Sequence, residues 1–143
     1  MNELFKALAN VKKELSVITT DNANPVYQGA GYATLHNIMS VLQPLLDKNN
    51  LVLYSQFVKH QDTNEWGVRT TLVHYGENEM HSLFVDFPVE RVADSQNNGK
   101  VMTYARRYNI GALFNLTFED DKDDDDTGDT KVTAKTTPTP LKF

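Results

Sequence analysis

Residues 51–87 read LVLYSQFVKHQDTNEWGVRTTLVHYGENEMHSLFVDF and hold three strand-like runs separated by two turns. Leu51 to His60 is rich in Val, Leu, Tyr and Phe, Trp66 to Tyr75 alternates in polarity, and Met80 to Phe87 is the third run. β-branched and aromatic residues at a period of two mark half-buried strands. Gln61-Asp62-Thr63-Asn64 and Gly76-Glu77-Asn78 are turn material, so the three runs predict an antiparallel meander. Side chains alternate across a strand, which puts Trp66, Val68, Thr70 and Leu72 on one face and Arg69, Thr71 and Val73 on the other. Lys59 shares the face of Leu53 and Phe57. One face is expected to pack on helices, and the other to stay half open or to be covered by a neighbour.

Helical spacing flanks the meander on both sides. Upstream, Leu35, Ile38, Met39, Leu42 and Leu46 form an apolar stripe behind Thr34, whose hydroxyl suits an N-cap. Pro44 lies inside that stripe, where a proline costs roughly 3 kcal/mol, so a kink or a restart is expected. Asn49-Asn50 ends the helix with residues tolerant of the left-handed conformation. Earlier still, Leu4, Phe5, Leu8, Val11 and Leu15 mark an amphipathic helix of about three turns, and residues 19–31 read as a loop. Downstream, Pro88 to Asn98 breaks the strand pattern as a connection, and Gly99 to Phe114 (GKVMTYARRYNIGALF) returns to helical period. There Val101, Ala105, Tyr108 and Ala112 are assigned to the buried face with Tyr104 beside them. Thr103, Arg106 and Arg107 are assigned to the opposite side.

The chain has 143 residues, enough for one domain with a core, and no cysteine, which removes disulfides, thiolate nucleophiles and thiolate metal ligands. Its charge is uneven. Residues 119–143 carry eight acids against four lysines, so that segment holds −4 of the net −5. The expected organisation is a body over residues 1–118 and an acidic, Thr- and Pro-rich disordered tail over 119–143. The N-terminus lacks the uninterrupted apolar run of a signal peptide, and no run is long enough to span a bilayer, so a cytoplasmic protein is expected.

Catalytic and metal chemistry find little support in the residues. Gly29-Ala30-Gly31 lacks the rest of a dinucleotide fingerprint, and no GxxxxGK[ST] loop is present. His36, His60, His74 and His81 form no HExxH pattern. His74 and His81 can face one another across the second hairpin, without a carboxylate at ligand spacing. An EF-hand loop counted from Asp123 meets Ala134 where a bidentate Glu is required. No cofactor and no metal is expected, and the chain reads as a non-enzyme. What remains is a set of cations, Lys59, Arg69, Lys100, Arg106 and Arg107, interleaved with aromatics that include Tyr54, Trp66 and Tyr104. Phosphates bind Lys and Arg, and unstacked bases bind aromatic platforms, so this set suits single-stranded nucleic acid. It also suits a core helix with a solvated arginine pair.

The order of motifs narrows the choice. Tyr32-Ala33-Thr34-Leu35 opens a helix that ends in Gln43-Pro44-Leu45-Leu46 and is followed by Asn50-Leu51. A meander comes next, then Thr103-Tyr104-Ala105-Arg106-Arg107-Tyr108 and an Asp cluster. Over roughly residues 4–126 this resembles the essential-recombination-function (ERF) family of bacteriophage single-strand annealing proteins. The resemblance implies an α+β fold with the β-β-β-α core of annealing proteins. It also implies homo-oligomeric rings or filaments that bind single-stranded DNA and anneal complementary strands without ATP in phage DNA recombination. The setting would be the cytoplasm of the bacterial host, with phage or host replication and recombination proteins as possible partners. The candidate DNA-binding residues are Lys100, Arg106, Arg107, Lys59, Arg69 and Tyr104. Lys100 and Arg106 are favoured as contacts, and Arg107 is equally compatible with an ion pair to Asp86 or Glu90. The alternatives are a protein that protects single-stranded DNA without annealing it, and an α+β interaction protein that binds no DNA.

Overall fold

The computed structural model describes residues 2–20, 34–76, 79–90 and 94–116, the side chains of 16–20 excepted. Its elements are α1 (Asn2–Thr20), α2 (Leu35–Lys48), β1 (Leu51–Lys59), β2 (Trp66–Tyr75), β3 (Met80–Val89) and α3 (Ser95–Phe114). The strands form one sheet in the order β1-β2-β3, antiparallel throughout, with Leu53 opposite Leu72 and Leu72 opposite Leu83. The α+β meander packed against helices is therefore the observed architecture. Of the loop expected over residues 19–31, the first two residues belong to α1, and the rest, with the acidic tail, lies outside the described residues.

Strand alternation decides where the core sits. Leu51, Val68, Thr70 and Leu72 point to the helical side and are fully buried, while Val52, Tyr54, Tyr75, Met80 and Phe84 on the other face are exposed. Leu4, Val11 and Leu15 from α1, Ile38, Leu42 and Leu46 from α2, and Ile110 and Phe114 from α3 meet Leu51 and Leu72 in one cluster. Burial of that apolar surface is the main driving force for the fold.

The ends of the elements depart from expectation in four places. α1 runs on to Thr20, about five turns, and its buried stripe is Leu4, Ala7, Val11 and Leu15. Phe5, assigned to the stripe, is 54% exposed. α2 continues through Pro44 without a restart, because Leu42, Leu45 and Leu46 on either side are anchored in the core and the proline ring faces solvent. Thr34 caps it as expected, its Oγ1 accepting from Asn37 N at 3.1 Å, and Asn50 takes φ 53° just past its end. β3 extends through Pro88 to Val89, which an edge strand tolerates because its outward N–H has no strand partner to lose. Finally, α3 begins a turn before Gly99. Asp94 is its N-cap, with Oδ1 accepting from Gln96 N at 2.9 Å.

The α3 face assignment also changes. Ala105, Asn109, Ile110, Leu113 and Phe114 are buried, Val101 and Tyr108 are half-buried, and Ala112 is exposed. The side chain that replaces Ala112 against the sheet is polar. Asn109 Nδ2 donates to Val68 O at 2.8 Å and to Thr70 Oγ1 at 3.0 Å, and Thr70 shares a 2.8 Å hydrogen bond with Ser55 Oγ. An amide that satisfies itself on a central strand gains a hydrogen bond where an alanine methyl gains little.

Candidate nucleic-acid interface

Among the described helices, α3 carries the most one-sided charge. Between Ser95 and Phe114 it holds Lys100, Arg106 and Arg107 and no acid. At about 100° per residue, Lys100, Tyr104 and Arg107 recur at i, i+4 and i+7 along one stripe, while Arg106 lies roughly 120° from Lys100. Lys100 and Tyr104 are exposed, and Arg106 and Arg107 are half-buried. The Arg107 guanidinium carbon is 6.0 Å from the Tyr108 ring centroid. The structure thus aligns Arg107 with Lys100 and sets Arg106 on the flank.

Tyr104 is fixed by an aromatic cluster. Its ring centroid is 4.7 Å from that of Tyr108 and 5.9 Å from that of Phe87, which in turn lies 5.4 Å from Tyr108. Phe87 comes from the inner side of β3, so the cluster ties the first half of α3 to the edge of the sheet. Half of Tyr104 still faces solvent. Between that flank of α3 and the C-terminal end of β3 runs a groove of about 430 Å³ lined by Phe87, Val89, Glu90, Asn97, Lys100 and Tyr104. A second groove of about 500 Å³ shares Pro88, Val89 and Glu90 and continues to Trp66. Lys59 stands beyond it, its Nζ 5.7 Å from the Trp66 ring centroid. The fold therefore brings Lys100 and Tyr104 to one side of the β3 end and Lys59 with Trp66 to the other.

Arg69 lies apart, on the outer face of the sheet. Register places it directly opposite Asp86, and the two form a bidentate pair, Nε to Oδ1 and Nη2 to Oδ2, both at 2.8 Å. Its guanidinium carbon also sits 3.9 Å from the Phe84 ring centroid. Asp86, expected as a partner for one arginine of α3, is thus occupied by Arg69, with His60 Nε2 a further 3.4 Å from Oδ2. Hydrogen bonding to Arg69 holds the Asp86 carboxyl below its ordinary range, against an opposing effect of burial and with help from the Arg69 and His60 charges. The same hydrogen bond raises Arg69.

A depressed carboxyl contributes stability above the unfolded value near 3.9 and loses it as pH falls through the folded value. Asp86→Asn is accordingly expected to cost about 1–2 kcal/mol between pH 5 and 8. The difference from the unsubstituted protein should shrink steadily below about pH 4. Urea denaturation across that range checks it, and a gap independent of pH would exclude the ion pair as its source.

His74 and His81 do face one another in register, and His81 Nε2 lies 2.9 Å from Glu79 Oε2. Among the described residues, no group of His, Asp and Glu is placed to hold a metal ion. No helix among them is long and apolar enough to cross a membrane.

Comparison with known proteins adds one decisive match. The family model described as "ERF superfamily" fits residues 4–142. No curated protein and no solved structure matches the chain. Nearly the whole sequence lies within the family match, the Thr103–Tyr108 segment of α3 included, and the chain belongs to the ERF superfamily.

Proposed function

We propose that this protein binds single-stranded DNA along the basic side of α3 and anneals complementary strands without ATP, as a homo-oligomer in phage DNA recombination. Membership of the ERF superfamily gives the setting. The observation that carries the reading is the acid-free α3, with three cations and an exposed tyrosine beside a groove. Lys100 and Arg107 hold phosphates along one stripe, Arg106 extends the basic side, and Lys59 continues it past Trp66. Arg69, neutralised by Asp86, anchors the sheet instead. Contacts confined largely to the backbone leave base edges free to test a second strand, which annealing requires. Electrostatics and hydrogen bonding do this work, so no covalent step and no cofactor enters.

The outer sheet face supports association between copies. Val52, Tyr54, Tyr75, Met80 and Phe84 are exposed there, with the Arg69 guanidinium over the Phe84 ring. Contiguous apolar surface of that kind marks interaction sites. Packing this face against a different surface of the next subunit would build a ring or filament, in the cytoplasm of the bacterial host. The DNA-binding role is assigned to residues 1–118 and not to the acidic 119–143 segment.

The test is fluorescence anisotropy with a labelled single-stranded oligonucleotide over a salt series. Each neutralised phosphate contributes about −0.7 to the slope of log affinity against log salt. Lys100→Ala with Arg107→Ala should flatten the slope by about 1.4. The parallel variant, Lys100→Ala with Arg106→Ala, shows which arginine shares the contact. If neither double variant changes slope or affinity, the interface is elsewhere. Annealing of complementary oligonucleotides in the absence of nucleotide then separates annealing from simple protection.

A further inference from the structure

We infer that the groove between α3 and the end of β3 captures one unstacked nucleobase per subunit, with Tyr104 as its stacking platform. The inference rests on the DNA-binding reading above and names what the strand places in that groove.

A groove meant for phosphate alone would be lined by cations and hydroxyls. Among the described residues, this one sets a carboxylate, Glu90, and an amide, Asn97, beside Lys100, with Phe87, Val89 and Tyr104 as apolar and aromatic lining. A carboxylate disfavours a phosphate placed directly beside it, so this end of the groove suits a neutral occupant that still offers hydrogen bonds. A nucleobase is neutral and planar, with apolar faces and a rim of donors and acceptors. Carboxylates accept from exocyclic amines such as that of cytosine. Asn97 Nδ2 donates to Asp94 Oδ2 at 3.0 Å, which orients the amide and leaves its oxygen to accept from a ligand.

Tyr104 supplies the face. It is 53% exposed, yet Phe87 and Tyr108 hold its ring in place, so stacking a base on it costs little further ordering. The space of about 430 Å³ falls within the range of clefts that bind small organic groups. Lys100, on the rim one helical turn before Tyr104, is positioned for the phosphate that flanks the captured base. One base held per subunit fixes the register of the strand and leaves the intervening bases free to pair.

The experiment compares two oligonucleotides of equal length and charge, one of mixed sequence and one built from abasic tetrahydrofuran sites. Full-length protein is used throughout, with anisotropy as the readout. The unsubstituted protein is expected to bind the base-bearing strand at least tenfold more tightly. Tyr104→Ala should lose about tenfold on that strand and almost nothing on the abasic one. Its salt slope should be unchanged, because no phosphate contact is removed. Tyr104→Phe should bind as the unsubstituted protein does.

Equal affinity of the unsubstituted protein for both strands, with a normal salt slope, overturns base capture and leaves the DNA reading intact. Equal losses on both strands for Tyr104→Ala also overturn it. Absence of binding to either strand overturns the DNA reading itself. The comparison between strands needs no variant, so a folding defect in Tyr104→Ala leaves it decisive.

Discussion

Phe114→Ala is expected to destabilise the protein by about 3–5 kcal/mol. Phe114 is 1% exposed and ends α3 inside the cluster that joins all three helices to Leu51 and Leu72. Truncation removes a large apolar surface and leaves a cavity that neighbours can fill only in part, because core side chains already sit close-packed. The left-handed turn just beyond, with Asn115 at φ 52° and Leu116 N donating to Gly111 O at 2.9 Å, pins the end of the helix and limits its collapse into the space. Urea denaturation followed by circular dichroism should show a lower midpoint with little change in slope. Phe114→Leu should cost markedly less, since it leaves a smaller void. A loss below about 1 kcal/mol for the alanine variant would mean that α3 is not held through its C-terminal end.

How far the sequence reveals this fold depends on where apolar residues punctuate it. β2 was expected over Trp66 to Tyr75 and spans those residues, because apolar and polar positions alternate cleanly and turn residues bound both ends. α3 was harder. Its first turn, Ser95-Gln96-Asn97-Asn98, has no apolar residue to announce a period, and the start is set by the Asp94 cap. The face of α3 was misread for a related reason. A hydrophobic count puts Ala112 on the buried face and passes over Asn109, whereas the central strand offers a carbonyl and a hydroxyl that an amide can reach.

The candidate site divides in the same way. The sequence points to Lys100 with Arg106 and sets Tyr104 beside the buried face, whereas rotation at about 100° per residue puts Lys100, Tyr104 and Arg107 on one stripe. The meeting of Lys100 and Tyr104 with Phe87 and Glu90 depends on β3 continuing through Pro88, which the strand pattern concealed. Arg69 looked like a free cation. Only the register between β2 and β3, set by the turn at Gly76 to Glu79, places Asp86 opposite it.

Asn109→Asp is the sharper probe of how α3 is seated. Asn109 Nδ2 donates to the Val68 carbonyl and to the Thr70 hydroxyl in a site 3% exposed. A carboxylate has the same shape and no hydrogen to donate, so it would face a carbonyl oxygen across 2.8 Å with its charge buried and unpaired. An uncompensated buried charge of this kind costs about 3–5 kcal/mol near neutral pH. Protonation restores a donor, so the introduced carboxyl should have a folded pKa above its unfolded value. The folded state then binds more protons than the unfolded one, and stability rises as pH falls through that raised value toward about 4. Asn109→Ala loses the same hydrogen bonds without introducing a charge, so its cost, about 2–3 kcal/mol, should not change with pH over that range. Because Asn109 lies one turn from Ala105, its bond to β2 also sets the rotation of α3 that leaves Lys100 and Tyr104 exposed. Under conditions where Asn109→Asp is still folded, its DNA affinity should therefore recover with its stability on acidification. An affinity that stays low after stability returns would mean that the site does not depend on how α3 is seated.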